Sequence, residues 1–303
     1  MRTPEEYNRR QVLKTLGLGL GAACLTPAAQ AAPARRLKIG QTSINWGFRV
    51  ESAEPGVRDS AKLGYWGYEP LGDVIEAVEQ KIGWSRILDQ YPIPVPSSYF
   101  NFNLTDPSLR PQQVEKALRM GALLKRLGGS AVVIGPNPIK RANWDFKTGK
   151  ADLAVTLNEV CKALDGIGLA AALHQHTGTC VDSSDEVYAV FDAVDTRVVK
   201  FGPDVGQLQK GGADPLKLLK DFQPLLRTIH LKDYAGGQAW AGYCPLGQGK
   251  VDLPAVMDIL EKAPNLEFVM VELDMTGNAP IPPFECARIG KEYLMKLGYK
   301  FRA

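Results

Sequence analysis

The feature that most constrains this chain is an eightfold alternation of apolar strand-like runs with amphipathic helical stretches, with no linker or low-complexity break between them. The strand-like runs are Leu37–Ile44, Tyr65–Pro70, Val95–Phe100, Ala131–Ile134, Leu169–Leu173, Val198–Phe201, Arg227–Leu231 and Phe268–Leu273. Between and after them, helical periodicity covers Asp73–Tyr91, Pro111–Leu127, Ala151–Leu164, Ser184–Phe191, Asp214–Phe222, Leu253–Glu261 and Pro283–Leu297. In Ala151–Leu164, for example, Leu153, Leu157, Val160 and Leu164 recur at intervals of three and four. Strands that alternate with helices form a parallel sheet, and eight such units predict an α/β fold closed into a single (β/α)8 barrel. An open doubly wound sheet would need a Gly-rich phosphate loop after its first strand, and Gly40-Gln41-Thr42-Ser43-Ile44-Asn45 does not supply one.

The barrel is expected to occupy residues 32–303, because Met1–Ala31 has the parts of an export signal. Arg9-Arg10 precede an apolar stretch from Thr15 to Leu25, and Ala29-Gln30-Ala31 offers a small-residue cleavage site. That stretch is shorter than the ~20 residues a spanning helix needs, so no stable membrane span is expected; paired arginines point to a twin-arginine route and a periplasmic or otherwise exported location. Removing the segment leaves 32 basic against 31 acidic side chains. So balanced a charge lacks the basic footprint of a nucleic-acid binder. The four cysteines of the barrel region, Cys161, Cys180, Cys244 and Cys286, are even in number but show no CxxC spacing; buried free thiols are the expectation. Cys24 lies in the signal and does not follow a clear lipidation pattern.

The chain has three histidines, and all fall where an apolar strand gives way to polar sequence: His174 and His176 after the fifth run, and His230 in the seventh. Asp204 follows the sixth run and Glu272 lies within the eighth. Four successive strands thus each deliver one candidate ligand, His174, Asp204, His230 and Glu272, at the end of a barrel where active sites are built. Mixed imidazole and carboxylate ligands suit one divalent ion: Mn²⁺, Co²⁺, Zn²⁺ or Mg²⁺. Any one of these residues alone would be as well explained as a helix cap or a satisfied structural group.

These residues sit in Asp204-Val205-Gly206-Gln207, His230-Leu231-Lys232-Asp233, Leu246-Gly247-Gln248-Gly249-Lys250-Val251-Asp252 and Val271-Glu272-Leu273-Asp274. Their order and spacing resemble the xylose-isomerase-like sugar isomerase/epimerase superfamily, in particular its ketose 3-epimerases and inosose dehydratases. The resemblance implies a metal held at Asp204, His230 and Glu272, a small carbohydrate substrate and association into homo-oligomers. It also exposes departures. His174 stands where the epimerases carry a second glutamate, and Gln207 where the family often has His.

A metal-bound enediolate remains accessible to the groups present, with Glu272 as base, His174 or His176 as acid and Lys232 neutralising a developing anion. Lys232 could instead form a rim ion pair with Asp233. Reprotonation gives an isomerase or epimerase acting on a non-phosphorylated keto-sugar, the primary expectation. Loss of a β-substituent gives a dehydratase or 3-keto-glycoside lyase, and loss of turnover leaves a sugar-binding barrel. Glu69, Trp46, Gln207, Trp240 and Tyr243 are the candidate substrate contacts, with Tyr99 a further aromatic near a strand end. An apurinic endonuclease on the same scaffold would need more imidazoles than three.

Overall fold

The computed structural model describes residues 35–274 and 279–303. The proposed export signal lies outside them. Among the described residues, ten strands and ten α-helices follow in chain order, beginning with β1 (Lys38–Thr42), α1 (Ala53–Lys62), β2 (Gly67–Glu69), α2 (Val74–Lys81), α3 (Trp84–Gln90), β3 (Ser97–Phe102), α4 (Arg110–Arg126), β4 (Ala131–Pro136), α5 (Phe146–Gly166) and β5 (Ala170–Leu173). They continue with α6 (Ser184–Phe191), β6 (Val199–Phe201), α7 (Val205–Lys210), α8 (Pro215–Asp221), β7 (His230–Leu231), β8 (Asp233–Tyr234), β9 (Tyr243–Cys244), α9 (Leu253–Leu260), β10 (Phe268–Val271) and α10 (Pro283–Lys296).

Two four-stranded parallel sheets, ordered β2-β1-β10-β7 and β3-β4-β5-β6, make up the barrel. Parallel bridges join them at both seams: Leu71 with Tyr99 on one side, Phe201 with Leu226 and Asp204 with His230 on the other. The cylinder is thereby closed, as the alternation predicts. Strand β4 is buried at every position, as a strand covered on both faces must be, and its Ala-Val-Val-Ile run reads accordingly. Among the described residues no helix is long and apolar enough to cross a membrane. The four cysteines of the barrel are buried free thiols.

Several boundaries differ from expectation for local reasons. Asp73–Tyr91 is two helices, because Gly83 takes φ +86° and starts the second one with a change of direction. Buried Trp84 then returns its indole N–H to Ile75 O at 2.7 Å, locking α3 onto α2. Helix α5 begins five residues earlier than its apolar pattern, since Asp145 caps it by accepting from Lys147 N. Helix α6 matches its expected bounds and starts in a capping box between Ser183 and Glu186. Arg141 also holds Glu186, at 2.5 Å. Replacing Ser183 with Ala should therefore cost about 1 kcal/mol in urea unfolding, with an unchanged slope. Helices α1 and α7 and the antiparallel β8-β9 hairpin were not among the expected elements.

Candidate metal centre and cavity

Each candidate ligand is delivered by the end of a barrel strand. His174 directly follows β5, Asp204 lies just past β6, His230 opens β7 and Glu272 directly follows β10. The Asp204–His230 bridge closes the barrel seam and sets two of them side by side. One ligand atom each from His174, Asp204 and His230 lie within 4.8 Å of one another, all three residues buried. Glu272 stands outside that mutual group but beside it, with Oε2 3.0 Å from His230 Nδ1.

The hydrogen bonds of these side chains decide which atoms remain for a metal. His174 Nδ1 lies 2.9 Å from Gly202 O; a carbonyl only accepts, so Nδ1 carries the proton and Nε2 keeps its lone pair. Burial, with His230 and His176 nearby, keeps this imidazole neutral well below the ordinary histidine range. Asp204 spends Oδ1 on the backbone N–H groups of Gly206 and Gln207, capping α7. His230 Nε2 lies 2.7 Å from Glu69 Oε1, and Glu69 is itself fixed by Ser97 Oγ at 2.5 Å. Asp204 Oδ2 and His230 Nδ1 are left without a well-aligned hydrogen bond: each is buried with a single charged neighbour, Lys232 Nζ at 2.8 Å from the one and Glu272 Oε2 at 3.0 Å from the other, so both keep donor capacity for a metal. Burial opposes charge on His230, but Glu272 and Glu69 outweigh it and raise its basicity well above the usual value. The same carboxylates would favour a metal ion at Nδ1 in place of the proton. The donor set fits a divalent ion, with Glu69 in the outer position that orients a ligating histidine.

Lys232 lies at the centre rather than at the rim. Its ammonium is fully buried, 2.8 Å from Asp204 Oδ2, 2.6 Å from Glu272 Oε1 and 3.0 Å from Asp274 Oδ2. The β10-β7 ladder causes this, because Glu272 N–H donates to Leu231 O and so brings Glu272 alongside Lys232. The alternative rim ion pair with Asp233 is absent among the described residues. Asp233 instead accepts from the backbone N–H groups of Tyr234, Gly247, Gly249 and Val251, folding the Leu246–Val251 segment onto the strand end. Both oxygens of Glu272 are thus engaged, one by Lys232 and one beside His230.

A cavity of about 210 Å³ opens over this centre. Its polar side carries His174, His176, Glu272, Asp274, Asn101 and Thr179; Ile44, Phe48, Leu71, Tyr99, Pro136 and Pro138 form the apolar side. Tyr99 packs edge-on to His174 and stacks on His230, with centroids 5.3 and 6.1 Å away, and burial keeps its phenol protonated far above the usual range. Phe48 is 64% exposed at the lip, where a lone Phe after Gly47 gave no sequence signal. Asp274 was legible only as part of a motif.

Other expected contacts sit elsewhere. Trp46 donates its indole N–H to Asp59 Oδ2 at 3.0 Å and packs on α1, not on the cavity. Glu69 is 1% exposed beneath His230 and does not line the cavity. Gln207 is buried too, with Nε2 2.7 Å from His176 Nε2 and Oε1 accepting from Thr177 Oγ1. His176 Nδ1 faces Thr177 O at 2.7 Å, so that nitrogen is protonated and Nε2 accepts from Gln207. His176 lines the cavity with both ring nitrogens already engaged by Thr177 and Gln207, which does not suit the role of acid. Trp240 and Tyr243 are buried in a satellite cluster with Leu273 and Cys286 rather than forming a cavity wall. The Tyr243 ring faces the Lys232 ammonium at 4.7 Å.

Comparison with known proteins agrees with this architecture. An inosose dehydratase of Bacillus thuringiensis (strain Al Hakam) is 24% identical over 226 residues, 66% of this chain and 75% of that protein. The probable 3-DHS dehydratase AsbF from Bacillus anthracis superposes with a TM-score of 0.72 at 14% identity, over 86% of this chain and 99% of that one. The IOLI protein, solved with a binding zinc atom, gives 0.72 at 17% identity, over 88% and 100%. The family model described as Xylose isomerase-like TIM barrel matches residues 57–295, and the chain belongs to that family.

Proposed function

We propose that this chain is a divalent-metal-dependent lyase that removes a β-hydroxyl or β-alkoxyl group from a non-phosphorylated keto-sugar or keto-polyol. The observation that carries this reading is the one-sided supply of proton-handling groups. Epimerisation requires proton transfer on both faces of a planar intermediate. Here His174 replaces a second carboxylate, and its one available nitrogen points to the ligand set. His176 is bound on both nitrogens. Elimination needs one base, and Asp274 supplies it: the residue lines the cavity, Lys232 holds its Oδ2, and among the described residues no hydrogen bond engages its Oδ1.

His174, Asp204 and His230, with Glu272 adjoining, would hold the metal, which supplies Lewis acidity at a substrate carbonyl and so acidifies the neighbouring C–H. Asp274 takes that proton and returns it to the departing oxygen. One C–H and one C–O bond break, a C=C bond forms, and water or an alcohol leaves. The Tyr99 phenol donates a hydrogen bond to a substrate oxygen, while the apolar wall excludes water. The similarity to an inosose dehydratase supports the reaction class. The reading includes export through Met1–Ala31, which the sequence alone supports.

Incubation of zinc- or manganese-loaded protein with keto-inositols and 3-keto-glycosides in heavy water, followed by NMR, tests the proposal. An unsaturated product with loss of the β-substituent is expected. A deuterated stereoisomer would replace the lyase by an epimerase. Metal binding without product or exchange on any substrate would leave a sugar-binding barrel.

A further inference from the structure

We propose that Lys232 is a positioning residue of the metal centre: its buried ammonium cross-links Asp204, Glu272 and Asp274 and holds the first two carboxylates where a divalent ion would meet them. Three carboxylates drawn into one buried volume repel each other and lose hydration, which an uncompensated cluster does not survive in ionised form. The ammonium, within 3.0 Å of all three, offsets one of their charges. The candidate ligand atoms of His174, Asp204 and His230 adjoin this cross-link.

The surroundings are built for this one cation. The Tyr243 ring closes over the ammonium. A Cβ at Gly206 would lie 2.8 Å from Lys232 Cγ and 2.9 Å from its Cβ, so the glycine admits the lysine stem. Asp204 Oδ2 has the Lys232 ammonium as its charged neighbour at 2.8 Å and belongs to a residue of the candidate ligand group. Lys232 therefore holds Asp204 and Glu272 in place before the metal arrives. This rests on the metal site proposed above, not on the elimination reaction.

The test compares thermal unfolding of metal-stripped parent and Lys232→Met protein, each without and with saturating Zn²⁺. The stripped variant should unfold at lower temperature, and zinc, now the one cation available to the cluster, should recover most of the loss. The zinc-induced rise should be at least twice that of the parent. A Lys232→Cys protein alkylated to carry an aminoethyl group, which restores the ammonium, should behave as the parent does. Should Lys232→Met fail to fold, Gly206→Ala displaces the lysine without removing it and should shift both readings in the same direction. Equal responses of parent and variants, or a loss that zinc does not recover, would overturn the role of Lys232. A parent protein that binds no zinc would instead remove the metal reading itself.

Discussion

Asp274→Asn protein should lose about 10²–10⁴-fold in turnover, the usual contribution of a general base, while binding metal as the parent does. Asparagine keeps the shape of the side chain and can still accept from Lys232 through its carbonyl, so the 3.0 Å contact and the neighbouring carboxylates are retained. It cannot take a proton from carbon. Turnover and kcat/KM should fall together, as they do when an interaction made in the transition state is removed, and exchange of the substrate hydrogen with heavy water should be lost in parallel. Glu272→Gln offers the contrast. Both Glu272 oxygens are engaged beside Lys232 and His230, so that change should weaken metal binding as well as rate. Metal affinity measured by competition with a chromophoric chelator separates the two. A fall in metal affinity for Asp274→Asn matching its loss of rate would make Asp274 part of the metal cage and not the base.

The closed barrel was legible because its signal is distributed: eight apolar runs and their intervening helices repeat the same pattern, so errors of a few residues at Ile44, Tyr65 or Leu273 leave the topology unchanged. The gathering of His174, Asp204 and His230 was legible for the same reason. Strand ends in a parallel barrel share one face, and position in the alternation places a residue on that face without any knowledge of distance. What the alternation could not convey was the direction of each side chain once it arrived. Trp46 and Trp240 are near strand ends yet face Asp59 and a satellite cluster, because a short 3₁₀ turn and a loop with positive φ at Trp240 and Ala241 intervene. Lys232 and Asp233 are adjacent in sequence and so invite a pairing, but successive strand residues point to opposite sides. One therefore enters the carboxylate cluster and the other clamps the loop after β9. Glu69 carried too little local pattern to reveal that it ends beneath His230, 161 positions away. Short elements such as α7 fall below the length at which periodicity is measurable, and only the Asp204 cap betrays it.

Glu69→Gln is expected to weaken metal binding by about 10–100-fold, the usual cost of losing the partner that orients a ligating histidine. Glu69 is 1% exposed at the end of β2 and is not among the residues that line the cavity, so its effect should run through His230. Its Oε1 lies 2.7 Å from His230 Nε2, which fixes the proton there and leaves Nδ1 toward Glu272 and the ligand cluster. Glutamine is isosteric and has two ways to sit. With its carbonyl toward His230 and its NH₂ toward Ser97 Oγ, the tautomer survives but the negative charge that favours a cation at Nδ1 is gone. With the amide reversed, the NH₂ group faces Nε2, the proton moves to Nδ1, and the lone pair needed for the metal is lost. Both arrangements weaken binding, and neither opens a cavity, so the protein should remain folded. Chelator competition should show the lower affinity, and excess metal should restore most of the parental turnover. An unchanged affinity would mean that His230 is oriented by the barrel alone, and that Glu69 is a buried partner without influence on the metal.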